Sequence, residues 1–211
     1  MIYIYLHGFA SSPKSSKAKY FQQRFDSLGI PLIILDLNQG DFSNLTLTRQ
    51  LQQVETILTE TQESVTLIGS SFGGLTATWL AQSHPQIEKL ILLAPAFNFL
   101  SQLQSLLGET EISKWQQQGY YQFYHHGEKL ALPLSYEFML DLQNYQEVEL
   151  NREIPTLIIH GIKDTVIPVE SSRVYRDTHQ QVKLVELDSD HSLMDVLEEI
   201  WSLIVHIQYK G

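Results

Sequence analysis

Six short apolar runs punctuate the chain, at residues 2–6, 32–37, 65–69, 90–94, 156–160 and 183–187. Each is about as long as a strand. Continuous rather than alternating apolar character fits strands covered on both faces, as in a parallel sheet. Between the runs the apolar spacing changes to three and four residues. Ala18, Phe21, Phe25 and Leu28 share one helical face within 15–28, Leu51, Val54 and Leu58 another within 48–58, and 193–207 repeats the pattern. Strands alternating with helices predict repeated βαβ units and an α/β fold with helices on both faces of a parallel sheet.

The alternation lapses once, from about residue 97 to 153, where no run is strand-like and the residues are polar and aromatic with helical patches. That is too long for a structureless loop, so it predicts a helical cap insertion lying over one end of the sheet. No repeat or linker divides the chain, and one domain spanning 1–211 is expected.

At 43% hydrophobic and 18% charged residues, the composition excludes a disordered or fibrous chain. Fourteen Lys and Arg against 24 Asp and Glu give a net charge of −10, which argues against a nucleic-acid partner. The absence of cysteine removes disulfides, thiol nucleophiles and thiolate metal sites. The N-terminus has no basic start before its apolar run, and no run approaches the ~18 residues of a membrane span. A cytoplasmic protein without a membrane span is expected.

Gly69-Ser70-Ser71-Phe72-Gly73 follows the third run and opens a helical segment at 75–82. In this strand–turn–helix setting, G-x-S-x-G holds its serine on a strained turn with the hydroxyl exposed, while glycines two places either side avoid a crossing backbone. An uncharged serine needs a base, itself oriented by an acid. Asp164 lies just past the fifth run and His191 just past the sixth. The order Ser71, Asp164, His191 matches one serine-hydrolase arrangement and neither of the other two common ones. Asp188 and Asp190 compete as the acid, but Asp190 adjoins His191 and reads as a loop cap. Acyl transfer also needs oxyanion donors, each worth roughly 3–4 kcal/mol in the transition state. The Phe72 and Phe9 amides are the candidates, the latter on the loop after the first run, with His7 as a brace and Gly8 allowing a tight turn. If strand one lies between strands two and three, the sheet's switch point falls between this loop and Ser71, where ligands bind. His125-His126 reads as surface, and His84 and His160 as structural. Nothing implies a metal or other cofactor.

These residues resemble the α/β-hydrolase superfamily. More narrowly, Tyr5-Leu6-His7-Gly8-Phe9, Ser11-Ser12-Pro13, Lys17-Ala18 and Gly69-Ser70-Ser71-Phe72-Gly73-Gly74 with Ala77-Thr78-Trp79-Leu80 are similar to the small bacterial YqiA-type esterases, over roughly the first 95 residues. The resemblance implies a reduced hydrolase fold with a six-stranded sheet ordered 2-1-3-4-5-6, and hydrolysis of short acyl esters or acyl-CoA thioesters. The acid loop at 160–168 and the insertion, with Trp115, Gly119 and 133–136, look more like the wider esterase and acylpeptidase-like group. The implied partner is therefore a small acyl ester or thioester of unspecified acyl chain. Insertion aromatics such as Tyr121, Phe123, Tyr136 and Phe138 either line an acyl pocket or glue the insertion to the sheet. Lys14, Lys17 and Lys19 would meet an anionic substrate, or simply form a solvated helix start. The expected function is a cofactor-free serine hydrolase. A non-catalytic binding module of the same fold, or an acyltransferase or peptidase on the same triad, are the alternatives.

Overall fold

The computed structural model describes residues 1–209, with side chains through His206. Strand β1 (Ile2–Leu6) is sandwiched: Ile4 and Leu6 face one apolar cluster, Tyr3 and Tyr5 the other. Strands β2 (Leu32–Ile34), β3 (Val65–Ser70) and β4 (Ile87–Leu93) join it in parallel. All six β3 residues are buried, which is why this run reads as continuously apolar instead of alternating. Helices α1 (Ser16–Ser27), α2 (Leu47–Thr59) and α3 (Phe72–Ser83) are the connections. The first two are amphipathic, whereas α3 buries nine residues and belongs to the core.

The second strand is shorter than expected because Leu37 leaves the ladder: its N–H donates to His7 Nε2 at 3.0 Å. Beyond β4 the sheet continues with β7 (Thr156–Gly161) and β8 (Val182–Leu187), joined by α6 (Val169–Thr178) and followed by α7 (Leu197–Tyr209). The last helix starts later than the apolar pattern suggested, because Leu193 adopts φ 54° and a 3-10 turn, Met194–Val196, intervenes. Ile207, placed on that helix by its spacing, has its side chain outside the described residues.

The insertion is not all helical. It comprises α4 (Phe99–Gln118), broken at Gly108 where φ is 74°, then β5 (Tyr120–His125), β6 (Leu130–Ser135) and α5 (Glu137–Leu142). The two strands form a separate antiparallel hairpin. The main sheet therefore runs β2-β1-β3-β4-β7-β8, not 2-1-3-4-5-6: two strands from the insertion precede its last pair. β1 lies between β2 and β3, and Leu6 pairs with Gly69, so the switch point opens between the ends of β1 and β3.

The insertion shares the core on one face of the sheet. Trp115, Leu134, Phe138, Met139 and Leu142 join the cluster built on Ile4, Leu67 and Leu92. Trp115 is fully buried, and its Nε1–H donates to the Leu134 carbonyl at 2.9 Å. Removing this ring leaves a cavity and takes one donor from that carbonyl. Trp115→Ala is expected to cost about 3–5 kcal/mol, read as a lowered urea midpoint with an unchanged slope.

Candidate active site

Ser71 caps α3 at φ 53° and ψ −118°, a region that a non-glycine residue occupies only under constraint. The constraint is visible. Its N–H donates to Leu93 O, and its carbonyl accepts from Gly74, Leu75 and Ala96. A Cβ on Gly69 would sit 2.4 Å from Gly73 O, and one on Gly73 only 2.2 Å from Leu6 O. Neither position tolerates a side chain. Gly8 has no positive φ, so it does not serve the tight turn expected of it. It is small for another reason: a Cβ there would meet Ser71 Cβ at 3.2 Å.

Ser71 Oγ lies 3.0 Å from His191 Nε2, and His191 Nδ1 lies 2.6 Å from Asp164 Oδ2. A carboxylate only accepts, so Nδ1 carries the proton and donates to Asp164. Nε2 is left to accept from the Ser71 hydroxyl. Asp164 is held by four donors: Val166 N–H and Ile167 N–H on Oδ1, both at 2.8 Å, and His191 and His160 on Oδ2. Burial pushes the carboxyl pKa up, but the bonds from His160 and His191, the His191 charge and the Ile167 amide together outweigh it. The net result lies well below the usual carboxylate range. The other two acids are elsewhere: Asp188 pairs with Lys163 at 2.6 Å, and Asp190 accepts from the Ser192 amide and hydroxyl.

Phe72 opens α3, so its N–H has no acceptor inside the helix. The Phe9 N–H makes no hydrogen bond among the described residues. His7 braces its loop: Nδ1 donates to Gly8 O at 2.9 Å, and Nε2 accepts from Leu37. His84 faces Glu55 at 3.3 Å, away from the site. His125, read from sequence as surface, is buried against the Phe42 ring with Asn38 Nδ2 at 3.1 Å; only its neighbour His126 is exposed. Among the described residues no three His, Asp or Glu side chains gather as a metal site. No helix among them is long and apolar enough to cross a membrane.

Of the two readings of the insertion aromatics, Trp115 and Phe138 follow the packing one, since both are fully buried. One feature of the surroundings departs from the sequence reading. Lys17 is not solvated like Lys14 and Lys19: its Nζ donates to Ser70 Oγ at 2.9 Å, directly before Ser71. No periodicity reveals that, because it depends on how α1 meets the end of β3.

A model of the uncharacterised protein family UPF0227 matches residues 2–208. The chain belongs to UPF0227. Among curated proteins none matches it significantly. Solved structures similar to this UPF0227 chain include a candidate hydrolase from Agrobacterium vitis S4, 25% identical, covering 98% of this chain and 87% of that one with a TM-score of 0.85. Mouse alpha/beta hydrolase domain-containing protein 10 is 21% identical, with 99% and 89% covered and a TM-score of 0.83. A monoacylglycerol lipase from Paleococcus ferrophilus is 17% identical, with 97% and 92% covered and a TM-score of 0.74. Family and fold together make the chain a member of the α/β-hydrolase superfamily.

Burial lowers the Lys17 pKa to about 8, partly offset by the charges of Asp164 and Asp190. The unfolded chain should release this proton near 10.4. The unfolded state thus holds more protons between these values, and the native state bears the cost of a charged Lys17 in full below about pH 8. Lys17→Met is expected to stabilise the fold by about 1–3 kcal/mol at pH 7, with the gain shrinking towards pH 10. Urea titrations of both proteins at pH 7 and pH 10 check this, and an equal difference at both would rule out a burial penalty on the ammonium.

Proposed function

We propose that this protein is a serine hydrolase that cleaves a carboxylic ester or thioester. One observation carries the reading: the unbroken chain from Ser71 Oγ to His191 Nε2 at 3.0 Å and from His191 Nδ1 to Asp164 Oδ2 at 2.6 Å, built on a strained serine. In this mechanism Ser71 attacks the acyl carbonyl carbon as its proton passes to His191 Nε2. Asp164 fixes the ring and stabilises the imidazolium. The Phe9 and Phe72 amides take the charge developing on the carbonyl oxygen. His191 then returns the proton to the departing alcohol or thiol, leaving an acyl-enzyme on Ser71. A water, deprotonated by His191, attacks that acyl carbon and releases the acid, restoring the serine. No step requires a cofactor.

Intact-mass measurement after fluorophosphonate treatment tests the nucleophile. One adduct on the wild type and none on Ser71→Ala is expected. An unmodified, folded wild type would instead favour a non-catalytic binding module. On an activated ester, Ser71→Ala is expected to lose roughly 10⁴–10⁶ in kcat while remaining folded. Asp164→Asn should lose several orders of magnitude and Asp190→Asn less than about threefold. The reverse ranking would move the acid to the histidine loop.

A further inference from the structure

His160 is the penultimate residue of β7, just before Gly161, is fully buried, and has no part in the proton transfers just described. Its Nε2 lies 3.1 Å from Asp164 Oδ2 and 2.9 Å from the Ile167 carbonyl. Both are acceptors, so Nε2 carries the hydrogen. Its Nδ1 lies 2.7 Å from Ser172 Oγ on α6, and Ser172 makes no other side-chain hydrogen bond among the described residues. With a neutral imidazole the protons are then assigned: the Ser172 hydroxyl donates to Nδ1, and Nε2–H is shared between Asp164 and Ile167.

Asp164 Oδ2 is therefore shared by two imidazoles. A purely structural histidine would need only Ile167 O and Ser172. His160 also engages the carboxylate oxygen that faces His191, while the backbone amides hold the other oxygen. We propose that His160, with its tautomer set by Ser172, is a positioning residue for the acid: it fixes Oδ2 and draws part of its charge, setting the basicity of His191. This rests on the reading of Ser71, His191 and Asp164 as a triad. The logic is that of an outer partner orienting a working histidine, displaced by one residue, with five side chains in series from Ser172 to Ser71.

The sign follows from electrostatics. Removing the His160 donor concentrates negative charge on Oδ2, which favours the His191 imidazolium and raises its pKa. The other charged groups acting here are Lys17 of α1 and Asp190 of the histidine loop, both coupled to the site around Asp164, together with Glu186 of β8, which is coupled to His160 and paired with Arg173 of α6. All stay in place in the variants.

The test compares His160→Leu, which removes the donor, with His160→Gln, whose carboxamide offers a donor to Asp164 and an acceptor to Ser172. Ser172→Ala removes only the hydroxyl. The readout is the His191 imidazole pKa, titrated by NMR with His191→Asn as the assignment control, alongside the pH dependence of kcat/KM on a p-nitrophenyl ester. In His160→Leu the His191 pKa and the acid limb of the profile should rise together by about 0.5–1 unit. About 10–100-fold of activity should be lost, mainly in kcat. His160→Gln should recover most of both, and Ser172→Ala should fall between. An unmoved His191 pKa in both His160→Leu and Ser172→Ala would overturn the proposal, as would a Gln variant no better than Leu. Should His160→Leu fail to fold, Ser172→Ala and His160→Gln carry the same comparison. Because the titration needs no turnover, it stays separate from the triad reading, whose own failure would appear as an unlabelled wild-type Ser71.

Discussion

The structure around the site depends on one backbone constraint: Ser71 must be held at positive φ while another strand end crosses directly over its helix. A residue in that conformation costs about 1–3 kcal/mol, so its neighbours have to over-determine it. Four backbone hydrogen bonds do so, one from its N–H to the end of β4 and three into its carbonyl from α3 and Ala96. Missing side chains do the rest. With no Cβ on Gly73, the Leu6 and His7 carbonyls pass within van der Waals distance of the first turn of α3. The ends of β1 and β3 and the first turn of α3 are consequently in direct backbone contact.

The same device recurs on the far side of the site. A Cβ on Gly161 would lie 2.3 Å from Ser189 O and 2.6 Å from Asp190 O. The loop bearing His191 therefore crosses the end of β7 in backbone contact, which sets His191 against Asp164. Two chain crossings, each licensed by a glycine, fix the spacing between Ser71 and Asp164 before any side chain bonds. That matters because Asp164 has a fully buried side chain, and a buried carboxylate is tolerable only when its oxygens are saturated. Four donors meet that demand, and they keep the acid ionised at neutral pH.

Elements whose burial is uniform were legible from sequence, and elements whose placement depends on a distant partner were not. β3 and β7, buried along their whole length, stand out as apolar runs. The β5–β6 hairpin does not. Tyr121, Phe123 and His125 point inward, but Tyr120 and Tyr124 are exposed aromatics that hide the alternation. Pro133 in β6 argues against a strand, yet it is harmless in a two-stranded hairpin, where both strands are edges. Ser71, Asp164 and His191 could be picked out because each follows its own strand in a recognisable order. Lys17 and His160 could not be placed. The first depends on where the start of α1 meets β3, and the second on a bond to a residue four positions on, across a loop rather than a helix turn. His125 and His126 looked like surface because adjacent histidines point apart and no acidic partner stands at helical spacing, and only the fold reveals that one of the two sides they face is the hairpin's buried one.

The insertion is coupled to the proposed chemistry through Phe9. Its ring packs against Phe42, Phe72, Phe99, Phe123 and Phe138, with centroids 5.2–6.3 Å apart. These neighbours come from the turn before α2, from α3, and from α4, β5 and α5 of the insertion. The hairpin turn adds a backbone bond, His126 N–H to Ala10 O at 2.8 Å, onto the same loop. Aromatic packing of this kind contributes beyond the area it buries. Under the proposed mechanism the Phe9 amide is an oxyanion donor, so its direction is set as much by the insertion as by β1. A loosened insertion would then shift a transition-state contact that acts over tenths of an ångström. Changes in the insertion, even at residues that never touch substrate, should therefore fall on kcat as well as on substrate choice, because one phenylalanine belongs to both the cap packing and the oxyanion loop.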